Sequence, residues 1–466
     1  MEPLARGGSG VIPRLVIAGT SSGAGKTTVA SGLLGALKAR GLRATGFKVG
    51  PDFIDPGYHA MACERAGRNL DAFLSGPELI APLFRHGSQG ADVAVIEGVM
   101  GLYDGASGRG ELASTAHVAK LLDAPVVLVV DAAAMARSVA AIVHGYATYD
   151  PEVRVAGVIL NRVGSDVHAE ILREALEPLG VPVLGALRRD DAVTAPERHL
   201  GLVPVGERAT RAREALERLA ATIGAGCDLD GLLALARSAP GTPGVAWSPT
   251  PEAGHAPPPA PVRVAVARGA AFSFSYAENL ELLEAAGAEL VDLDPLADEE
   301  LPPRTGALLL VGGFPEVFGE ELSANWALRA EIAAFARRGG PVLAECGGLL
   351  YLGTELDGRP MCDVVPAVAH MGTRLHLGYR EATAARSHPT WPAGTTVRGH
   401  EFHYSTCDPP AGEQPAWTLR ARGAERPEGH VCGSVHASYL HTHWAATPQV
   451  ASRLVATAAA AREVPA

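Results

Sequence analysis

Short apolar runs alternate with amphipathic stretches through the first half of the chain. Each run is bounded by Gly, Pro or polar residues, as buried strands are, and apolar positions at helical spacing (Val29, Leu33, Leu37) follow the first run. Strands that alternate with helices form a mostly parallel sheet with helices on both faces. We therefore predict a doubly wound α/β domain over residues 12–237. Its predicted strands lie at residues 15–18, 44–49, 93–96, 125–130, 155–160 and 181–184.

A proline-rich segment separates this half from a second one. Residues 238–261 contain too many prolines for a helix or a central strand, so we predict an extended connector. A further boundary is predicted at residues 196–204. Beyond the connector we expect another α/β domain over residues 262–460, with strands at 262–267, 307–311 and 341–344 and a helix at 276–286.

The stretch GTSSGAGKT, residues 19–27, lies between the first predicted strand and the first predicted helix. Its glycines let backbone N–H groups wrap a polyphosphate, and the positive end of the helix dipole faces the same anion. The lysine would reach the terminal phosphates and the threonine hydroxyl would ligate Mg²⁺. A chance Gly-rich turn is the alternative. The residues predicted to bind nucleotide are Gly19, Gly23, Gly25, Lys26, Thr27 and Thr28.

Charged residues follow the ends of the next strands, which is where open α/β sheets bind ligands. The string FKVGPDFIDPGYH carries Lys48, assigned to the nucleotide, and then Asp52 and Asp55, for which local Asx turns are the alternative. Glu97 ends the third strand and precedes Asp104 in EGVMGLYDG. A carboxylate there, beside a phosphate loop, predicts a Mg²⁺ ligand. The predicted metal ligands are Thr27, Asp52 and Glu97.

The phosphate loop departs from the usual G-x-x-x-x-G-K-[ST] pattern, because Thr20 stands in the place of its first glycine. In this it resembles the loop of dethiobiotin synthetase and its relatives. The pair Asn161-Arg162 at the end of the fifth strand is similar to a string of the same group, in which the asparagine meets the adenine edge. A cap on the next helix is the alternative for Asn161.

A cysteine stands at a sharp strand-to-helix turn in the second half, in the string ECGGL. Glycines allow such a bend, and we expect the helix N-terminus to lower the pKa of the Cys346 thiol. Cys346 is then a nucleophile for a carboxamide carbon, with backbone N–H groups of Gly313 and Gly347 as the oxyanion hole. A buried structural cysteine is the alternative.

The late string GSVHASYLHTHW offers three candidate bases, His436, His441 and His443. Together with GGFPE and ECGG, the YLH string resembles the class I glutamine amidotransferase domains of the cobyrinate synthase type, and its histidine falls on His441. Common class I glutaminases carry a glutamate two residues beyond that histidine, where this chain has His443. The resemblance implies a glutaminase that lacks the third triad member in its usual place.

The segment RGHEFHYS, residues 398–405, is predicted to be a strand with Glu401 and His403 on one face and His400 and Phe402 on the other. A zinc site is one interpretation, and a wall of the glutaminase pocket, suggested by the resemblance, is the other. The six cysteines show no C-x-x-C spacing, which argues against a zinc site and against a disulfide framework.

Composition narrows the function further. The formal net charge of −11 gives no support to nucleic-acid binding, which usually leaves a basic footprint. No apolar run is long enough to span a bilayer, and residues 1–11 lack the apolar core of a signal peptide. We therefore expect a cytoplasmic protein that binds neither nucleic acid nor membrane.

One function explains both an ATP site in the first half of the chain and a carboxamide-hydrolysing cysteine in the second half. It is the amidation of a carboxylate with ammonia taken from L-glutamine. Along nearly its full length the chain resembles the cobyrinate and hydrogenobyrinate a,c-diamide synthases, on strings such as IEGVMGLYDG and AFSFSYAENLELLEAAGAELV. The resemblance implies a corrinoid polycarboxylate substrate, ATP and Mg²⁺, and it admits a homodimer. It also implies that Asp52, Glu97 and Asp104 lie around the metal, the γ-phosphate and the acceptor carboxylate.

Three alternatives remain open from the sequence. Cobyric acid synthase and Ni-sirohydrochlorin a,c-diamide synthase are related amidating enzymes. A switch ATPase of the partitioning type, in which the second half of the chain is an inactive glutaminase-like scaffold, belongs to another class. Intact Cys346 and His441 argue against an inactive scaffold. Whether the substrate ring contains cobalt is not decided.

Overall fold

The computed structural model describes residues 11–189, 209–242, 244–250, 257–421 and 423–463. These residues form two compact units, of which the first ends at Trp247 and the second begins at Ser248. Trp247, inside the predicted connector, packs on the first unit: its backbone N–H donates to the Pro82 carbonyl (2.9 Å) and its ring meets His86 edge-on. The boundary predicted at 196–204 lies outside the described residues.

The first unit is built on one seven-stranded sheet in which every described pair is parallel. Its strands are β1 (Arg14–Gly19), β2 (Ala44–Val49), β3 (Arg68–Leu70), β4 (Val93–Glu97), β5 (Val126–Asp131), β6 (Val155–Val163) and β7 (Val183–Arg188). The order β3-β2-β4-β1-β5-β6-β7 runs outward on both sides of β1, which confirms the doubly wound α/β fold. The last strand begins later than predicted, and the short β3 was not predicted.

Helices alternate with these strands. They are α1 (Lys26–Ala39), α2 (Ile54–Cys63), α3 (Pro77–Gly87), α4 (Thr115–Leu121), α5 (Ser138–Thr148), α6 (Asp166–Leu176), α7 (Ala209–Gly226) and α8 (Leu229–Arg237), with a 3₁₀ turn at Glu177–Leu179. The helix after the phosphate loop, α1, packs closely on α7, because a Cβ on Gly32 would lie 2.5 Å from Ile223 Cγ1. The core beneath it is fully apolar, with Leu15, Ile17 and Leu33 buried. A rigid core thus supports the first turn of α1.

Strand register brings the predicted polar residues to one edge of the sheet. All the strands are parallel, so their carboxyl ends lie on the same side. Glu97 lies opposite Lys48 on one neighbour and opposite Ile17 on the other, while Asp131 lies opposite Asn161. The end of β1, which carries the phosphate loop, is therefore flanked by the ends of β4 and β5.

The second unit contains a six-stranded sheet in the order β10-β8-β11-β13-β21-β20, parallel except at β20. Its strands are β8 (Val262–Ala267), β10 (Ala288–Leu293), β11 (Thr305–Leu310), β13 (Val342–Glu345), β20 (His430–Cys432) and β21 (Val435–Ser438). Its helices are α9 (Ala277–Ala285), α10 (Gly319–Ala324), α11 (Trp326–Arg337), α12 (Gly347–Leu352) and α13 (Gln449–Glu463), with a 3₁₀ turn at Trp444–Ala446. The three strands predicted here are present, within two residues of their predicted bounds.

A second, seven-stranded sheet in this unit was not predicted as such. Two long antiparallel strands dominate it, β16 and β17, and their pairing is interrupted between Met371 and His376. Its strands are β14 (Glu355–Leu356), β15 (Arg359–Pro360), β16 (Val368–Ala384), β17 (Thr396–Asp408), β18 (Trp417–Ala421), β19 (Ala424–Glu428) and β22 (His441–Thr442). A two-stranded ribbon, β9 (Phe272–Phe274) with β12 (Gly312–Gly313), lies beside the cysteine turn. Within the ranges given above, no helix has the length and apolar character needed to cross a membrane.

Candidate active sites

The phosphate loop of the first unit has the backbone that wraps an anion. Gly23 and Gly25 adopt φ values of +78° and +103°, which residues with a side chain rarely do. The buried Lys26 side chain folds back over the loop, and its Nζ donates to the Ser21 carbonyl (2.9 Å) and to the Met100 carbonyl. Gly19 ends β1 and Thr28 lies half-buried in the first turn of α1. The predicted strand, loop and helix are all present.

Asn161 holds the phosphate loop from the neighbouring strand. Its Nδ2 donates to the Ala24 carbonyl (2.9 Å), and its Oδ1 accepts the backbone N–H of Arg162 (2.9 Å). A Cβ on Gly25 would lie 2.2 Å from this Nδ2, so the glycine is required by contact as well as by φ. The next helix is capped by Ser165, which rules out the helix-cap alternative for Asn161. The described contacts of Asn161 position the loop, and its contact with adenine stays a prediction.

Glu97 is the centre of a buried polar cluster at the end of β4. Its Oε1 accepts from the Thr27 hydroxyl (2.6 Å) and from Lys48 Nζ (2.8 Å). Its Oε2 lies 2.7 Å from His59 Nε2. Glu97, Lys48 and His59 are each at most 4% exposed. A buried carboxylate is stable only with such partners, so this cluster is built around the charge of Glu97.

Asp55, rather than Asp52, completes this cluster. Asp55 Oδ2 lies 2.5 Å from Lys48 Nζ and 3.4 Å from the Thr27 hydroxyl. The Asp52 side chain instead accepts the backbone N–H of Ile54 (2.7 Å), which is the local turn contact considered from the sequence. Sequence analysis left Asp55 out of the predicted metal ligands. The missed signal was helical spacing, because Asp55 and His59 lie four residues apart on α2 and so face the same side.

Asp104 lies outside the buried cluster, near the phosphate loop. It is exposed, and its Oδ2 accepts the backbone N–H of Gly101 (2.9 Å). A Cβ on Gly101 would lie near both this carboxylate and the Thr20 carbonyl. The carboxylate therefore caps its own turn beside the loop. Its predicted role near the γ-phosphate stays a prediction.

One cation shared by two carboxylates sets the protonation of the cluster. Burial alone would lower the pKa of Lys48, but Asp55 and Glu97 outweigh it and raise that pKa. Burial alone would raise the pKa of Glu97, but Lys48 and His59 outweigh it and lower that pKa. Burial and the charge of Glu97 raise the pKa of Asp55. The cluster thus holds charged Lys48 and ionised Glu97, with Asp55 as the carboxyl that takes up a proton most readily.

The oxygen atoms of this cluster fit a small hard cation. The Thr27 hydroxyl lies 2.6 Å from Glu97 Oε1 and 3.4 Å from Asp55 Oδ2, and Mg²⁺ prefers such oxygen ligands. No group of three or more His, Cys, Asp and Glu side chains that could hold a metal occurs in the part of the chain that the structure describes. A loop threonine hydroxyl with a strand-end carboxylate, completed by phosphate oxygens, is the donor set that phosphate-loop proteins use.

In the second unit, Cys346 lies at the bend between β13 and α12. Its φ is +49° and its ψ is −102°, a strained backbone for a residue with a side chain. The neighbouring glycines allow close packing, since a Cβ on Gly347 would lie 3.0 Å from the backbone N of Gly313. The predicted oxyanion-hole residues are therefore adjacent to each other and to the cysteine. Their role in binding an oxyanion stays a prediction.

The Cys346 thiol is protonated in this setting, contrary to the expectation from sequence. Burial raises the pKa of Cys346, and the nearby Glu316 adds to the effect. The amide of Gly347 acts in the opposite direction but is outweighed by burial, since Cys346 is 4% exposed. Burial also raises the pKa of Glu316 to about 7. The cysteine therefore needs a base to become a nucleophile.

His441 is the one of the three candidate bases that lies against the ribbon beside the cysteine turn. Strand β21 pairs with β13 so that Ser438 lies opposite Glu345, and His441 follows Ser438 by three residues. The His441 ring packs against the ribbon, because a Cβ on Gly312 would lie 2.5 Å from its Cε1. The other two candidates lie elsewhere: His436 packs between Trp391 and Trp417, and His443 lies 3.4 Å from Glu278.

The RGHEFHYS segment lies on β17 and forms a wall beside the cysteine. Glu401 and His403 share a face, as predicted, and the Phe402 carbonyl lies 3.9 Å from Cys346 Sγ. Arg380 and Arg426 each approach the buried Glu401 carboxylate to 2.5 Å, so the close partners of this carboxylate are cationic side chains. Burial alone would raise the pKa of Glu401, but His403 and the two arginines outweigh it and lower it to about 2.

His400 faces His441 across the pairing of β17 with β22. Burial, His441 and Arg380 lower the pKa of His400 to about 3, so its ring is neutral at physiological pH. The second arginine of the Glu401 cluster comes from β19, far along the chain. No local pattern in the sequence marks these long-range partners.

Comparison with known proteins identifies both halves of the chain. Residues 15–203 match the family model described as the CobQ/CobB/MinD/ParA nucleotide binding domain, and residues 263–449 match the CobB/CobQ-like glutamine amidotransferase domain. A hydrogenobyrinate a,c-diamide synthase from Streptomyces coelicolor is 58% identical over 95% of this chain and 97% of its own length. The chain belongs to the cobyrinate and hydrogenobyrinate a,c-diamide synthase family.

Two further members of this family are similar to the chain over nearly its whole length. A hydrogenobyrinate a,c-diamide synthase from Mycobacterium tuberculosis is 50% identical over 96% of this chain and 98% of its own length. A cobyrinate a,c-diamide synthase from Syntrophotalea carbinolica is 46% identical over 95% of this chain and 98% of its own length. Family membership confirms a glutamine amidotransferase ligase that carries a nucleotide-binding domain.

Proposed function

We propose that this protein amidates the a and c acetate carboxylates of hydrogenobyrinic acid, with ATP and L-glutamine as co-substrates. The observation that carries the proposal is the pairing, in one chain, of the Thr27–Glu97–Lys48 cluster with the strained Cys346 turn, in a sequence 58% identical to a hydrogenobyrinate a,c-diamide synthase. The metal-free ring is favoured over cobyrinate because the relatives of 50–58% identity carry the hydrogenobyrinate name.

In the first unit, Lys26 and the loop glycines would bind the phosphates of ATP, and Asn161 would keep the loop in shape. Thr27, Glu97 and Asp55 or Asp52 would hold Mg²⁺, which when bound neutralises phosphate charge and aligns the γ-phosphoryl group. Lys48 keeps Glu97 ionised. The acceptor carboxylate takes the phosphoryl group and becomes an acyl phosphate, because an unactivated carboxylate has no good leaving group. Asp104, beside the loop, would face the same reaction space.

In the second unit, Cys346 would attack the side-chain carboxamide of glutamine after His441 removes the thiol proton. The backbone N–H groups of Gly313 and Gly347 would stabilise the oxyanion. Ammonia leaves and a glutamyl thioester remains, which water hydrolyses to glutamate. Ammonia then attacks the acyl phosphate, phosphate departs, and a primary amide results. Free ammonia is mostly protonated at neutral pH, so an enclosed transfer between the two centres is part of the proposal.

The domain division is also proposed: an amidoligase over residues 12–237, a connector over 238–261 and a glutaminase over 262–460. Cytoplasmic location and a homodimer complete the proposal, and light scattering of the purified chain tests the dimer.

The decisive experiment is mass spectrometry of hydrogenobyrinate and cobyrinate after incubation with ATP, Mg²⁺ and glutamine. We expect two amides on hydrogenobyrinate. Cys346→Ala should lose glutamine use and keep activity with ammonium chloride, Lys26→Ala should lose both, and the control Cys432→Ala should lose neither. Amides on other side chains would favour the cobyric acid synthase reaction, and a Cys346→Ala variant inactive with ammonium would refute the division of labour.

A further inference from the structure

The glutaminase centre lacks a carboxylate in the usual place after its histidine. His443, which stands there, is turned to other partners: its Nε2 lies 3.4 Å from Glu278 Oε2 and its ring packs on Tyr276. Its Nδ1 accepts the backbone N–H of Ala445 (3.4 Å). His443 therefore does not substitute for an acidic residue beside His441, and an orienting group must come from elsewhere if there is one.

A carboxylate on another strand lies near the His441 ring. Glu345 Oε2 lies 3.7 Å from His441 Nδ1. Glu345 is the last residue of β13 and directly precedes Cys346, so the same strand end carries the nucleophile and this carboxylate. In the neighbouring strand, Ser438 lies opposite Glu345 and precedes His441 by three residues. Glu345 thus reaches the histidine from the strand that leads to the nucleophile.

Neighbouring groups fix the position of Glu345. Its Oε1 accepts from the Thr442 hydroxyl (2.8 Å) and from the Thr442 backbone N–H (3.3 Å). The Thr442 hydroxyl also accepts from Trp444 Nε1 (3.0 Å), and an indole N–H can only donate. The hydroxyl proton must therefore point at Glu345. This arrangement needs an acceptor at Oε1 and leaves Oε2 free to face the histidine.

The turn that carries His441 is held to a helix. Asn279 on α9 donates from Nδ2 to the Thr442 carbonyl (2.9 Å), and its Oδ1 accepts the backbone N–H of Trp444 (2.8 Å). Glu345 and His441 are 9% and 1% exposed, so water screens their interaction little. A carboxylate held in such a place acts on the histidine by charge as well as by direction.

We propose that Glu345 is the positioning residue of the glutaminase, holding the Nδ1 side of His441 so that Nε2 serves as the base for the Cys346 thiol. The thiol proton passes to Nε2 as the S–C bond to the carboxamide carbon forms. The carboxylate stabilises the resulting imidazolium, which gives its proton to the departing ammonia as the C–N bond breaks. This inference rests on the proposed function and adds to it the acidic member that sequence analysis found missing.

Glu345→Gln tests the inference, because glutamine keeps the size of the side chain and an oxygen for the Thr442 donors but removes the charge. We expect the kcat of glutamine hydrolysis to fall roughly 10²- to 10⁴-fold, as when an orienting carboxylate is neutralised. The KM for glutamine and amidation with ammonium chloride should not change. Glu355→Gln, an exposed glutamate of the same unit, is the matched control and should behave as wild type.

Thr442→Val separates charge from simple support of the turn. It removes the hydroxyl that holds Oε1 and leaves the Glu345 carboxylate in place, so we expect a loss of kcat of about tenfold or less. Two results would overturn the inference: a Glu345→Gln enzyme with wild-type kcat, or a Thr442→Val enzyme as impaired as Glu345→Gln. Glutamine-dependent activity in Cys346→Ala would instead refute the proposed function, which keeps the two failures distinct.

Discussion

Glu97→Gln tests the buried cluster of the first unit in both stability and catalysis. The substitution keeps the shape of the side chain but removes its charge, and it puts an amide N–H₂ among the donors Thr27, Lys48 and His59. Lys48 would then keep Asp55 as its carboxylate partner at contact distance, with a smaller effect from the charge of Asp52. A buried cation that loses one of two counter-charges is expected to destabilise the fold.

The magnitude follows from the distance between the charges. At the 2.8 Å that separates Lys48 Nζ from Glu97 Oε1, Coulomb attraction is about 6 kcal/mol at an effective dielectric constant of about 20. The variant no longer has to bury the Glu97 charge, and this recovers part of the lost attraction. We therefore expect a loss of about 3–5 kcal/mol in unfolding free energy. For a unit of this size that corresponds to a Tm lower by roughly 6–20 °C.

Differential scanning calorimetry of the whole chain measures the stability, and two activity assays measure the chemistry. Amidation should fall at least about 100-fold with either glutamine or ammonium chloride, since the variant lacks a group that fixes developing charge. Glutamine hydrolysis should be unchanged. Glu64→Gln, whose side chain is 76% exposed and pairs with Lys38 on the surface, is the control. A Glu97→Gln protein with the Tm of wild type and full ammonium-dependent activity would refute the reasoning.

Three further outcomes are expected. Asn161→Ala removes the bond to the Ala24 carbonyl and should raise the KM for ATP while lowering stability by about 1 kcal/mol, measured by kinetics and urea unfolding. Gly347→Ala places a Cβ 3.0 Å from Gly313 N and should reduce glutamine hydrolysis about 100-fold but spare ammonium-dependent amidation. The pKa of Glu401 in the folded protein is about 2, below the ordinary value near 4.5. The ionised carboxylate therefore contributes about 3 kcal/mol to the unfolding free energy above pH 4.5, and this contribution is lost as the pH falls to 2. Glu401→Gln should abolish that pH dependence of the unfolding free energy in urea titrations. A variant with the same pH dependence as wild type would contradict the prediction.

The residues at strand ends could be predicted because parallel strands carry their carboxyl ends to one edge. Lys48 and Glu97 lie far apart in the sequence, yet each is the last or the penultimate residue of its strand, and the register places them opposite each other. The phosphate loop and the cysteine turn could also be predicted, because the spacing of glycines indicates where the backbone bends tightly. Local sequence thus specified these two centres.

Residues brought in by helices and long antiparallel strands could not be found in the same way. Asp55 reaches Lys48, and His59 reaches Glu97, only because α2 begins at Ile54 and turns both side chains toward the sheet. The long strand β16 has a mixed polar sequence without a continuous apolar run, so neither its length nor the Arg380 contact with Glu401 was visible. Burial likewise decided the protonation of Cys346, and burial depends on packing that a six-residue helix does not reveal.

The protonated, buried Cys346 has a consequence for how the enzyme survives in a cell. Peroxides and alkylating agents react with thiolates far faster than with thiols, and they need access to sulfur. A cysteine that is neutral and 4% exposed resists such damage. The burial that keeps this thiol neutral therefore also shields its sulfur from oxidants.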